Sequence, residues 1–162
     1  MRLATFQSLI AICIFLSLNS TEVFASNSTY QTYRFTWEGA FDGTVFIEVK
    51  TDINGGDLVA AWIGHPDKSK HVRLTAEETA YLADQLEITE FWTAVASNRC
   101  KAGMVGRIVS MGCRDGSMWT LEVSKGERNH TLIEQSPQSG AIYILGNLLY
   151  RMSGLQLRQG LY

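Results

Sequence analysis

The sequence predicts an α+β fold: a mainly antiparallel sheet of about six strands, in the order βββα-βββα, covered by two helices. Three observations predict it. Apolar and polar residues alternate in several short segments, which is typical of strands with one buried face. Gly-containing turn sequences separate these segments, as expected for antiparallel hairpins. Two longer segments carry apolar residues at helical spacing instead.

The first three strands form a predicted antiparallel meander. The first strand is marked by alternating aromatic side chains, Tyr33, Phe35 and Trp37, and the second by alternating aliphatic ones, Val45, Ile47 and Val49. Residues 58–63 form the predicted third strand. The turns between them contain Asp42-Gly43 and Asn54-Gly55, where glycine permits positive φ. The polar segment 65–71 is interpreted as a loop.

A helix is predicted to begin after Thr75 and to run to about Glu87. Thr75 followed three residues later by Glu78 fits a capping box, in which a hydroxyl and a carboxylate reciprocally bond free backbone amides.

The second half repeats the pattern with three strands and a helix. The predicted strands are residues 107–113, 118–124 and 128–135, and residues 141–152 form the predicted helix. A two-residue turn at Lys125-Gly126 would pair His130 with Leu121 and turn it into the core. A three-residue turn would pair it with Glu122 on the opposite face, and the sequence permits both.

Residues 1–25 have the pattern of a secretory signal peptide. Arg2 precedes the apolar run of residues 9–16, and Val23-Phe24-Ala25 provides a cleavage site after Ala25. The competing interpretation is a membrane anchor, but the run is shorter than the about 20 apolar residues that a spanning helix needs. We therefore expect one α+β domain, residues 26–162, in the periplasm or outside the cell, with no transmembrane segment in the mature chain.

Cys100 and Cys113 remain after cleavage, and in an oxidising compartment they are expected to form a disulfide. In the chain-entropy model, closing this loop of about 14 residues stabilises the fold by roughly 3 kcal/mol. Free thiols and a zinc pair are the alternatives. Zinc would need two more ligands, and the three histidines lack suitable spacing, so no metal is expected.

Composition excludes several classes of protein. The chain is 46% hydrophobic with a formal net charge of −2, which excludes a disordered chain and argues against a nucleic-acid partner.

No nucleophile, phosphate-binding or metalloprotease motif occurs, and no cofactor is expected. An enzyme would depend on Asp115, Glu122 and His130, in which a carboxylate orients and activates the imidazole. The competing interpretation is structural: Asp115 caps a turn, Glu122 is solvated, and His130 packs or forms an ion pair.

Three residues are candidate binding residues: Phe46, Trp92 and Arg114. Phe46 lies on the polar side of its strand, and Trp92 follows another aromatic residue, so one helix face cannot bury both rings. Exposed aromatic side chains are frequent in contact sites. The alternative for Phe46 is burial under a helix or loop, and the alternative for Trp92 is core packing at a helix end.

The second half also carries a DGxxWxxE pattern (Asp115 to Glu122), followed by His130 and Pro137. Other matching positions are Phe91-Trp92, Leu145-Gly146, Leu148-Leu149 and Ser153-Gly154-Leu155. In these residues, which span under half of the chain, the protein resembles a set of uncharacterised bacterial proteins. The resemblance implies a bacterial source and a shared fold, and it brings no established activity.

Together these observations predict a small exported, non-catalytic binding protein, of the kind that inhibitors and immunity proteins represent. Its expected partner is a protein or another envelope component. Two alternatives remain: an envelope hydrolase or ligand-binding enzyme that uses Asp115, Glu122 and His130, and a structural accessory protein.

The disulfide prediction is tested by thiol titration of the exported protein under denaturing, non-reducing conditions. We expect no reactive thiol from Cys100 or Cys113, because both sulfurs are bonded. Two reactive thiols would refute the disulfide.

Overall fold

A computed structural model describes residues 30–39, 43–96, 103–105, 108–110 and 116–156. Its strands and helices, in chain order, are β1 (Gln31–Gly39), β2 (Gly43–Asp52), β3 (Gly55–Ile63), β4 (His65–Leu74), α1 (Ala76–Ile88), a 3-10 helix (Phe91–Thr93), β5 (Gly103–Val105), β6 (Ile108–Ser110), β7 (Met118–Lys125), β8 (Arg128–Gln135) and α2 (Ala141–Ser153).

Six strands form one antiparallel sheet in the order β4-β3-β2-β1-β7-β8, while β5 and β6 form a separate hairpin. Strand β1 lies inside the sheet, with β2 on one side and β7 on the other. The predicted fold class is confirmed: a six-stranded antiparallel sheet with two helices.

The predicted alternation sets the two faces of the sheet. Tyr33, Phe35 and Trp37 on β1 are almost completely buried, and the intervening polar side chains lie on the other side. The inner face of the neighbouring strands and the two helices complete one continuous core, including Val45, Ile47, Trp119, Leu82 and Leu145. Each strand therefore has an inner face towards the core and an outer face.

Both helices lie on the inner face. Helix α1 begins with the predicted capping box: the Glu78 amide donates to Thr75 Oγ1 at 3.2 Å, and the Thr75 amide donates to a Glu78 carboxylate oxygen at 2.8 Å. Helix α2 approaches the sheet at Gly146, where an added Cβ would lie 2.7 Å from the Phe35 ring and 2.9 Å from that of Trp119. We call the uncovered outer side the open face, because none of the described helices packs against it.

The interpretation of residues 65–71 as a loop was wrong. They belong to β4, which pairs with β3 through contacts such as Val59↔His71 and forms one edge of the sheet. The predicted strand at 107–113 is present in part as β6, but in the small hairpin rather than in the main sheet. The main sheet thus takes its sixth strand from β4.

Both predicted registers of the last hairpin were also wrong. The turn residues are Gly126 and Glu127, so Lys125 pairs with Arg128 and His130 with Val123. A type II′ turn requires positive φ at its first position, which favours glycine there. Gly126 has φ +58 and occupies that position. His130 consequently points to the inner face, as in the two-residue alternative, but its partner lies two residues further along β7, at Val123 instead of Leu121.

The close approach of α2 can be tested with Gly146→Ala. In an exposed helix this change would stabilise by about 1 kcal/mol, but here the methyl group would collide with the Phe35 and Trp119 rings. We expect the free energy of unfolding to fall by about 1–2 kcal/mol, measured by urea denaturation. Asn147→Ala, on the next residue, is the control and should change stability by less than about 0.5 kcal/mol. Stabilisation by Gly146→Ala would contradict the close packing.

Candidate binding site

The three catalytic candidates do not form a described site. Glu122 pairs with Thr131 on the open face, whereas His130 points to the inner face, so the sheet lies between the two side chains. Asp115 lies outside the described residues. The alternative that pairs Glu122 with His130 is therefore not the register that the structure adopts.

His130 lies near the start of β8 and contacts the chain that follows α1. Its ring meets the Phe91 ring edge to face, with centroids 5.0 Å apart. Its Nε2 lies 3.0 Å from the Ala94 carbonyl oxygen. Because a carbonyl only accepts, this hydrogen bond requires a proton on Nε2. The half-buried histidine thus holds the 3-10 helix against the sheet, which is a structural role.

Trp92 belongs to the same aromatic group. Its ring packs edge to face with Phe91, and the Arg128 guanidinium lies 4.4 Å from its ring centroid. The indole Nε1 is buried and has no hydrogen-bond partner among the described residues. Trp92 is half-buried and packs against the core, so it contributes little exposed surface for a partner.

Phe46 lies at the middle of the open face. The strand registers place it in a row that crosses five strands: Ile133, Thr120, Thr36, Phe46 and Ala61. Because no described helix covers this face, Phe46 stays half-buried among its strand neighbours. Its position between polar residues in the sequence follows from this placement.

Large apolar side chains extend from Phe46 in both directions across the sheet. Ile63 is 62% exposed, Ile133 51% and Val59 46%, and Met118 is also exposed. We call Phe46, Val59, Ala61, Ile63, Met118 and Ile133 the apolar band. The row from Ile133 to Ala61 is uncharged. In the row on one side of it Glu38 lies between Met118 and Thr44, and in the row on the other side Val59 lies between Glu48 and His71.

Paired charges border the apolar band on one side. Glu48 accepts from Arg34 at 2.8 Å and from Lys50 at 2.7 Å, and Asp57 binds Arg73 at 2.7 Å. The hydrogen bond from Lys50, followed in size by the one from Arg34, holds the pKa of Glu48 below its usual range. The Arg73 bond lowers the pKa of Asp57 in the same way. This border therefore presents both signs of charge, already paired within the chain.

Other expectations concern residues that the structure does not describe. Cys100, Cys113, Arg114, Asp115 and the leader 1–25 lie outside the described residues, so the disulfide and the signal peptide stay predictions. In the described part of the chain no helix is long and apolar enough to cross a membrane. The same part contains no group of three or more His, Cys, Asp or Glu residues placed to hold a metal ion.

Sequence reasoning found Phe46 but missed the rest of the apolar band. The available signal was the residue type at the outward-facing positions of the strands. There a solvated face normally carries polar residues, but this chain has Val59, Ile63, Met118 and Ile133. Sequence reasoning also missed Trp62, which lies at the end of β3 beside the lysines of β4.

No known protein family, curated protein or solved structure matches the chain. The resemblance of the second half to uncharacterised bacterial proteins stays an expectation.

The paired charges predict a contribution to stability that depends on pH. The pKa of Glu48 is lowered by folding, so the stabilisation is complete above the unfolded pKa of about 4.3 and disappears as pH falls through the lower folded value. Glu48→Gln should therefore reduce the free energy of unfolding slightly at neutral pH, with a smaller difference from wild type in strong acid. Urea denaturation from neutral to acidic pH measures this.

Lys50→Met is the matched partner variant. It should remove part of the same pH-dependent difference, because Lys50 makes the bond that lowers the Glu48 pKa most. Wild-type and Glu48→Gln stability curves that stay parallel through the acid range would contradict the assignment.

Proposed function

We propose that this protein is exported and, without catalysing a reaction, binds another protein of the cell envelope or its surroundings through the open face of the sheet. Such a role belongs with inhibitors and immunity proteins. The observation that carries the proposal is the apolar band, which extends across a sheet face that no described helix covers. Contiguous exposed apolar surface of this kind marks interaction sites.

The size of the open face suits a protein partner. With six strands about 4.8 Å apart and at least eight residues long, it measures about 24 Å by 26 Å, or roughly 600 Å² before side-chain relief is added. A standard protein interface buries about 800 Å² on each partner. The open face can therefore supply most of one side of such an interface.

The chemistry of the face also favours a protein. Its centre carries aliphatic side chains, threonines and one phenylalanine. The charges around Glu48 and Asp57 are paired, and Glu38 adds a carboxylate beside Met118. An apolar centre with a polar rim is the usual arrangement at protein interfaces. Nucleic acids and anionic membranes require unpaired positive charge, and a chain with net charge −2 lacks an excess of it.

Export is supported by the leader-like residues 1–25 and by the two cysteines that follow them. The alternative of a hydrolase loses support because Glu122 and His130 lie on opposite faces of the sheet. The alternative of a purely structural protein gives no reason for an uncovered apolar band.

Site-specific photocrosslinking in the source cells tests the proposal. A benzophenone amino acid replaces Ile63 or Ile133 on the open face, or Ile88 on α1, which is 70% exposed and serves as the control. We expect positions 63 and 133 to yield the same adduct with a second protein in the extracytoplasmic fraction. Position 88 should yield none.

A second measurement uses the identified partner. Ile63→Lys with Ile133→Lys should weaken its binding at least tenfold, because both substitutions place charge in an apolar contact, while Ile88→Lys should leave it unchanged. Adducts at all three positions, adducts of twice the mass of the chain, or no adduct would each contradict binding of another protein by the open face. Intact, reduced chain in the cytosol would contradict export.

A further inference from the structure

A cavity of ≈ 350 Å³ lies at the other side of the sheet, between the β3–β4 hairpin and the chain that follows α2. Its lining residues are Trp62, Asp67, Lys68, Lys70, Gly154, Leu155 and Gln156. Trp62 faces inward with Val45, its partner on β2, so this cavity is separate from the open face. Small-molecule sites begin at about 300 Å³.

An irregularity in the hairpin shapes the cavity. The pairing of β3 with β4 shifts between Ala60 and Trp62, which marks a β-bulge or a similar irregularity. Bulges redirect side chains and are frequent beside functional sites. Here the shift brings the Lys68 ammonium to 4.0 Å from the Trp62 ring centroid, and the His65 ring to 4.4 Å. An aromatic wall and a cation thus share the cavity.

The lysines of the cavity differ from the cations of the open face. Arg34, Lys50 and Arg73 each have a carboxylate within 3 Å. Among the described residues, no carboxylate lies within 4.0 Å of the Lys68 or Lys70 ammonium. Two ammonium groups and one carboxylate, that of Asp67, leave the lining with one net positive charge. A bound anion would neutralise it.

We propose that this cavity binds an acidic sugar, a sugar ring that carries a carboxylate or phosphate. The anionic group binds Lys68 and Lys70, which supply charge-assisted hydrogen bonds. The apolar face of the ring packs on Leu155 beside Trp62, whose ring already contacts Lys68 and His65, while Asp67 and Gln156 bind its hydroxyl groups. This combination of apolar walls with a few polar groups is typical of small-ligand sites.

NMR titration of the folded protein tests the site, with the Trp62 indole N–H and the Lys68, Lys70 and Leu155 amides as reporters. The probes are galacturonic acid, trigalacturonic acid and glucose 6-phosphate, against galactose and inorganic phosphate. We expect the acidic sugars to shift these signals and to bind at least tenfold more tightly than galactose or phosphate. Tighter binding of the trimer than of the monomer identifies a glycan as the source, and equal binding identifies a free sugar acid.

Lys68→Met with Lys70→Met should reduce the affinity for acidic sugars at least tenfold, because both positive charges are removed. The control is Lys125→Met, at the opposite end of the sheet, which should leave affinity unchanged. Amide spectra of each variant verify that it folds, and the salt dependence of wild-type binding gives a measure of charge that needs no substitution.

Three results would overturn the proposal: no shift at Trp62 with acidic sugars up to about 10 mM, galactose or phosphate binding as tightly as the acidic sugars, or affinity that survives loss of both lysines. The inference does not rest on the open face. Failure of the photocrosslinking experiment would leave this site intact, and the converse also holds.

Discussion

The structure depends on the two-residue alternation of β1 being shared by the strands on both sides of it. Because Phe35 pairs with Ile47 on one side and with Leu121 on the other, one face of three strands is apolar at the same level. That coincidence gives both helices a single surface to cover. A shift by one residue would turn polar side chains into the core, so the burial of this face fixes the register of the central strands.

Covering only one face has a consequence for the other. Antiparallel sheets tolerate a solvated face, and such a face usually carries polar residues. Here threonines and the paired charges around Glu48 and Asp57 satisfy that expectation, while Phe46 and its apolar neighbours do not. The core does not require these apolar residues, since their side chains point away from it. In the proposed binding function these residues form the contact surface.

Local sequence rules predicted the elements whose two faces differ in chemistry. The capping box of α1, the alternation of β1 and the helical spacing of α2 each determine their own segment. Strand β4 was missed because it lies at an edge, where water reaches its backbone and most of its side chains, so its polar and Lys-rich composition resembles that of a loop. The β7–β8 register was missed because a glycine between two strands permits several turns, and only its backbone conformation selects one. The site was harder still, since the open face and the cavity both join residues from separate strands.

The two proposed sites use opposite sides of the same hairpin. Ile63, at the end of β3, extends the apolar band on the open face, and Trp62, one residue earlier, lines the cavity on the inner side. Adjacent residues of a strand point to opposite faces, so a single short segment can serve an apolar protein contact and a charged ligand site without conflict. The shift in the β3–β4 pairing at Ala60–Trp62 sets the position of Trp62 against Lys68. Ile63 is placed by its regular pairing with Thr44 on β2. A ligand that fixed this hairpin would also fix one end of the open face, which gives the two sites a direct physical connection through β3.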